Sequence, residues 1–159
     1  IAGGEQERGM RGGTLNVPSV VGLAAAYEKN VRGMVENNAK IEGLKALFLK
    51  KIFSDIEGVK LNGEGAVRLP SIVNLTFEGI DNAAFLYNMD RHGVAVAAGS
   101  ACASASVKPS HVLTAMGLSE KDARSSVRFS FGRDNTEEEI LYGAELAAQI
   151  VGKLRSFGK

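Results

Sequence analysis

Cys102 is the only cysteine in the chain and lies in Ala97-Ala98-Gly99-Ser100-Ala101-Cys102-Ala103-Ser104-Ala105-Ser106. A cysteine used as a small core hydrophobe normally stands among branched aliphatics, whereas here the nearest are Val96 and Val107. A run of Gly, Ser and Ala has little side chain to bury and ample backbone freedom, which predicts an accessible loop. A thiol on such an arm suits a nucleophile that reacts as thiolate and then carries its cargo elsewhere. Arg128 is the second candidate. In Ser126-Val127-Arg128-Phe129-Ser130-Phe131 the apolar and polar residues alternate, so a strand would hold this guanidinium on a firm platform opposite its apolar face. So placed, it can clasp a carboxylate with two parallel hydrogen bonds; the ordinary alternative is a solvated arginine paired to a surface acid.

The other chemistry-bearing types are sparse. His92 falls at a predicted helix C-terminus, where a cation is favourable, and reads as structural. His111, nine residues past Cys102, reaches the thiol only if the fold brings it there. No His, Cys, Asp or Glu cluster has metal-ligand spacing, so no metal site is expected. The glycine-rich opening matches neither a P-loop nor a dinucleotide fingerprint, and no nucleophile elbow supports a Ser-His-Asp triad.

These residues need elements to position them. Residues 1–16 hold five glycines, Arg8, Arg11 and Thr14 and almost nothing apolar, either a frayed terminus or a polar loop able to embrace an anion. From Asn16, a cap followed by Pro18 in the first turn, apolar residues recur at three- and four-residue spacing to Ile52. That predicts one long N-terminal helix, or two broken between Asn30 and Gly33. Part of its apolar face is expected to meet another domain or subunit. Strands are expected over 59–61, 72–77, 94–97 and 126–131, and helices from Asp81, Ser110 and Glu120. The last helix follows Thr136-Glu137-Glu138-Glu139, a capping-box pattern, with Ile140, Ala144, Ala147, Val151 and Leu154 as its core stripe. Together these give an α/β two-layer sandwich: a mostly antiparallel or mixed sheet, helices on one face, the other face open.

The whole chain sets bounds. With 159 residues it can bury one core without staples. Nineteen basic against eighteen acidic residues leave no electrostatic footprint for nucleic acid or a membrane surface. No apolar run approaches the roughly 20 residues of a membrane span, and one cysteine forms no internal disulfide, so a reducing cytoplasmic compartment is expected. A start at Ile1, directly on a glycine-rich loop, suggests part of a larger protein.

Three blocks, in order along nearly the whole chain, resemble the NifS/IscS-type cysteine desulfurases, pyridoxal-phosphate enzymes of the class V aminotransferases. Gly3-Gly4-Glu5-Gln6-Glu7-Arg8-Gly9-Met10-Arg11-Gly12-Gly13-Thr14-Leu15-Asn16 is similar to the family's glycine-rich loop, with Glu5 where a third glycine is usual. Gly99-Ser100-Ala101-Cys102 with Pro109-Ser110-His111-Val112-Leu113 resembles its active-cysteine segment, and Ser126 to Ile140 its arginine-bearing segment. The resemblance implies the C-terminal small domain of a fold-type I pyridoxal-phosphate enzyme, with 1–16 as a loop contacting cofactor or dimer partner and 17–159 as the small domain. It implies that Cys102 takes sulfur from L-cysteine as a persulfide, leaving L-alanine, and that Arg128 holds the substrate carboxylate. It further implies that Thr14 hydrogen-bonds the cofactor phosphate across a homodimer interface. The sulfur would pass to an iron–sulfur scaffold or other acceptor protein. No segment resembles the one that bears the cofactor-binding lysine, so the chain alone is expected to be inactive. The rivals are another class V aminotransferase or selenocysteine lyase, which needs Arg128 but not Cys102, and a non-catalytic dimerisation or docking domain.

Overall fold

The computed structural model describes residues 2–99 and 109–157. Cys102 therefore lies outside the described residues. Two compact units divide the chain, Ile1–Glu36 and Asn37–Lys159.

In the first unit a short 3-10 turn, Gln6–Gly9, is followed by helix α1, Val17–Arg32. The Asn16 side chain accepts a hydrogen bond from the Ser19 N–H at 3.2 Å, and Pro18 occupies the first turn, where a missing amide hydrogen costs nothing. α1 buries none of its residues; Leu23 and Tyr27 are 71% and 70% exposed. Gly33 leaves helical geometry with ψ near 3°, and helix α2, Met34–Asp55, starts after it. Glycine lowers helix propensity by about 1 kcal/mol relative to alanine, so the expected break falls there.

The second unit is a two-layer α/β sandwich. Strands β1 (Val59–Leu61), β2 (Ile72–Phe77) and β3 (Ser126–Ser130) form one sheet in the order β1-β2-β3, antiparallel throughout. Helices α3 (Asn82–Asp90), α4 (His111–Ala115), α5 (Glu120–Arg124) and α6 (Glu137–Phe157) complete it. Alternation sends Val73, Leu75 and Phe77 of β2 and Val127 and Phe129 of β3 to one face. There they meet Leu44, Phe48 and Ile52 of α2, Phe85 and Met89 of α3, and the buried stripe of α6. Five rings sit at the centre: Phe48 lies 4.8 Å from Phe129 and 5.3 Å from Phe131, and Phe77 stacks on Phe85 at 5.4 Å.

The expected strand over 94–97 is not a strand. Only Ala97 pairs, in a single antiparallel bridge with Arg128. Its other end is held elsewhere: the Val94 N–H donates to the Met89 carbonyl at 3.1 Å, tying the segment to the end of α3 instead of to the sheet.

The capping box of α6 forms as its pattern predicts. Glu139 N–H donates to Thr136 Oγ1 at 3.2 Å, and Thr136 N–H returns a bond to Glu139 Oε2 at 3.1 Å. Ile140, Ala144, Ala147 and Val151 are buried, with Leu154 half-buried below them.

Two outcomes follow from this packing. Phe77→Ala removes a fully buried ring from the aromatic cluster and should lower stability by about 3–5 kcal/mol in a urea titration. The Glu139 carboxyl is held below the ordinary glutamate value, first by the Asn135 side-chain amide and then by the Thr136 N–H. A lowered folded-state pKa gives stability that is complete above the unfolded value and lost as pH falls through the folded one. Glu139→Gln should therefore flatten the acid end of the stability curve while leaving its neutral-pH shape unchanged.

Candidate functional site

The face of the sheet turned away from the helices is polar. Lys60 of β1, Asn74 and Thr76 of β2, and Ser126, Arg128 and Ser130 of β3 share it, with Ile72 at its margin, since residues directly opposite in register project to the same side. Arg128 is exposed, as its alternation predicts, and among the described residues its guanidinium makes no hydrogen bond or ion pair.

Its backbone is firmly held. The Arg128 N–H donates to the Ala97 carbonyl at 2.7 Å, and the Ala97 N–H to the Arg128 carbonyl at 3.1 Å. In an antiparallel ladder the N–H and C=O of one residue point to the same side, so Arg128 bonds toward Ala97 and away from β2. Asn74, its partner on β2, correspondingly turns its carbonyl toward β1, where it accepts from Asn62 N–H at 2.9 Å. Arg128 and Asn74 are therefore a non-hydrogen-bonded pair, the type whose side chains lie closer together, with Cα atoms about 4.5 Å apart. From Ala97 the chain runs through Gly99 into the segment that holds Cys102, so the base of that segment is fastened beside Arg128.

Sequence reasoning missed the polar seam that backs this pair. Asn62 Nδ2 donates to Asn74 Oδ1 at 2.6 Å and lies 2.9 Å from Thr76 Oγ1 and 3.2 Å from Ser126 Oγ. Thr76 and Ser126 hydroxyls are 2.8 Å apart, and Ser126 Oγ donates to the Asp122 carbonyl of α5 at 2.7 Å. Thr76 and Ser126 are each 1% exposed, although both alternate with core residues and the pattern of β3 puts Ser126 on the face opposite its apolar one. The signal was present as Asn74 and Thr76 two apart on β2 and Ser126 and Arg128 two apart on β3. That they close over one another required the register and the placement of α5.

Thr14 belongs to the first unit, at the exit of the glycine-rich loop. A Cβ on Gly12 would stand 2.5 Å from the Gly3 Cα, so the loop's two limbs touch backbone to backbone and leave no room for a side chain. Gly13 N–H donates to Gln6 Oε1 at 3.1 Å, and Arg11 donates to the Gly13 carbonyl at 2.6 Å while facing Glu7 at 3.7 Å. Glu7 and Arg8 take positive φ angles of 52° and 59°, a strained setting for residues with side chains. Thr14 emerges exposed, its hydroxyl without a partner among the described residues.

The histidines have plainer roles. His92 Nδ1 is 2.8 Å from the Asn88 carbonyl one turn back in α3. His111 opens α4 and is exposed. A groove of about 590 Å³ runs between the β1 turn and Met116 to Leu118, and one of about 300 Å³ between residues 93–96 and α6; Arg128 lines neither. Among the described residues no three His, Cys, Asp or Glu side chains are grouped to hold a metal ion, and no helix is long and apolar enough to cross a membrane.

An antiparallel three-stranded sheet backed by helices is the arrangement that comparison with known proteins also finds. The aminotransferase class-V family profile matches residues 3–142, and the chain belongs to that family. It is 44% identical to a cysteine desulfurase IscS of Pseudomonas putida strain GB-1 over 155 residues, covering 98% of this chain and 38% of that protein. Among solved structures, a NifS-like protein superposes with a TM-score of 0.82 at 30% identity, covering 97% of this chain and 39% of that one. A NifS-like protein from Rickettsia africae superposes with a TM-score of 0.78, also at 30% identity, covering 98% and 39%. The chain thus spans about two fifths of the length of the relatives it matches.

Thr76→Val keeps the volume but strips the hydroxyl that joins Asn62 to Ser126. With buried partners left unsatisfied, it should cost about 1–3 kcal/mol in a denaturant titration.

Proposed function

We propose that this chain is the Cys102- and Arg128-bearing portion of a cysteine desulfurase that converts L-cysteine to L-alanine and carries the sulfur as a persulfide on Cys102. The observation that carries the reading is Arg128 itself: exposed, unpaired among the described residues, and fixed by its backbone beside the residue from which the chain enters the Cys102 segment. A guanidinium so held presents a fork matched to one carboxylate. The likeness to IscS and NifS-like proteins supports the choice of substrate.

In this reading Arg128 anchors the carboxylate of L-cysteine and so fixes where its sulfur lies. The Cys102 thiolate forms an S–S bond to that sulfur as the substrate C–S bond breaks, and the substrate carbon takes up a proton to end as the methyl group of alanine. The sulfur then leaves with Cys102 for a thiol or iron–sulfur scaffold acceptor.

The cofactor proposed is pyridoxal 5'-phosphate, which when bound supplies the electron sink for loss of the substrate's sulfur. The residues described fit one corner of it. Thr14 offers an unpartnered hydroxyl at the mouth of a close-packed glycine loop, suited to a phosphate oxygen of the partner subunit's cofactor in a homodimer. Glu5 and Glu7 on the same loop add negative charge, against which Arg8 and Arg11 supply two cations, Arg11 facing Glu7 directly. Lys45, the buried lysine among those described, is committed to Glu42 at 2.7 Å, so the covalent lysine is proposed to come from the remainder of the complete protein.

The test uses that complete protein. L-Cysteine should yield alanine with a persulfide on Cys102, trapped by alkylation and seen by mass spectrometry. Cys102→Ala should bind L-cysteine but release no alanine. Arg128→Ala, losing a bidentate charge-assisted contact, should raise KM for L-cysteine about a hundredfold. The 159-residue chain with added pyridoxal phosphate should produce neither sulfide nor alanine; alanine formation by Cys102→Ala would sink the assignment of the thiol.

A further inference from the structure

Asn74 faces Arg128 across the sheet, and its side-chain amide is half spoken for. Oδ1 is turned to Asn62, from which it accepts a 2.6 Å hydrogen bond, and an amide whose oxygen is so engaged presents its NH2 to the other side. Asn62 is itself locked, since its own Oδ1 accepts from Thr76 Oγ1 at 3.1 Å and its Nδ2 reaches three acceptors. Asn74 Nδ2 has no acceptor among the described residues, and neither has Arg128. These two unsatisfied donors lie on directly opposed, closely spaced positions of one face. The residues around them offer no competing carboxylate: Ala97 lies beyond Arg128, and Ser126 and Ser130 flank it along β3.

We propose that Asn74 is a second carboxylate-binding residue, its Nδ2–H donating to the carboxylate that Arg128 clasps, with Asn62 as the positioning residue that keeps the amide the right way round. The inference rests on the reading of Arg128 given above and deepens it. A carboxylate has about four lone-pair sites and a bidentate arginine uses two, so a neutral donor adds a third contact without adding charge. Such a donor sharpens the choice between a carboxylate and a neutral isostere, because an amide group in the same place would bring its own NH2 against Nδ2.

Binding of L-alanine and of L-alaninamide to the complete protein, measured by isothermal titration, separates the cases. The wild type should prefer L-alanine, and Arg128→Ala should abolish the preference. Asn74→Ala should weaken L-alanine about tenfold while L-alaninamide stays within about twofold. Asn74→Asp keeps the volume and the acceptor toward Asn62 but replaces the donor with a negative charge. It should weaken L-alanine at least as much, and it carries the test if Asn74→Ala does not fold. Asn62→Ala should reproduce part of the Asn74→Ala loss. A wild type with no preference for L-alanine overturns the carboxylate reading of Arg128 and this inference together. A preference that Arg128→Ala abolishes but Asn74→Ala and Asn74→Asp leave intact overturns the inference alone. So does a loss in those variants that falls equally on both ligands, since a structural role would produce it.

Discussion

Phe129 is the residue that decides which way β3 faces. Its ring lies 4.8 Å from Phe48, 6.3 Å from Phe77 and 6.4 Å from Phe85, so it joins α2, β2 and α3 at one point and is nearly fully buried. Side chains along a strand alternate with a period of two, and a slip of one residue would exchange the two faces completely. With Phe129 and Val127 committed to the core, Arg128 has only the opposite face to occupy. Moving it inward would bury an unpaired guanidinium, a cost far beyond what any local rearrangement returns.

The face that receives Arg128 is not merely what the core leaves over. Its Ser126 end is sealed, because Asp122 of α5 accepts from Ser126 and the Asn62–Thr76–Ser126 seam satisfies the buried hydroxyls. Its Arg128 end is open. A polar network that is complete on one side and has unspent donors on the other is rigid where it must be and available where a ligand can reach. The sheet therefore orients Asn74 through its hydrogen bond to Asn62.

The chain belongs to the class V aminotransferase family and spans about two fifths of its relatives' length. Arg128 has a stable setting within its own unit, its backbone bonded both ways to Ala97. Thr14 is set up differently. It rides on a loop whose limbs touch at Gly3 and Gly12 and whose strain at Glu7 and Arg8 is held by Gln6 and Arg11. Strain of that kind persists only where surrounding contacts over-determine it.

Much of the fold was legible in one dimension because its signals are local. The break near Gly33, the Asn16 and Asp81 caps, the Thr136–Glu139 capping box and the alternation of Ser126 to Phe131 each depend on a few neighbouring residues. The same locality misled at 94–97, where two valines suggested a strand. The Met89 carbonyl captured Val94 instead, leaving one bridge. The exposure of Arg128 could be read from its alternation with Val127 and Phe129. The partnership of Asn74 with Arg128, and the burial of Thr76 and Ser126, come from residues 14 to 64 positions apart in the chain. Only strand register and the docking of α5 bring such residues together, and no local pattern encodes a distance across the sheet.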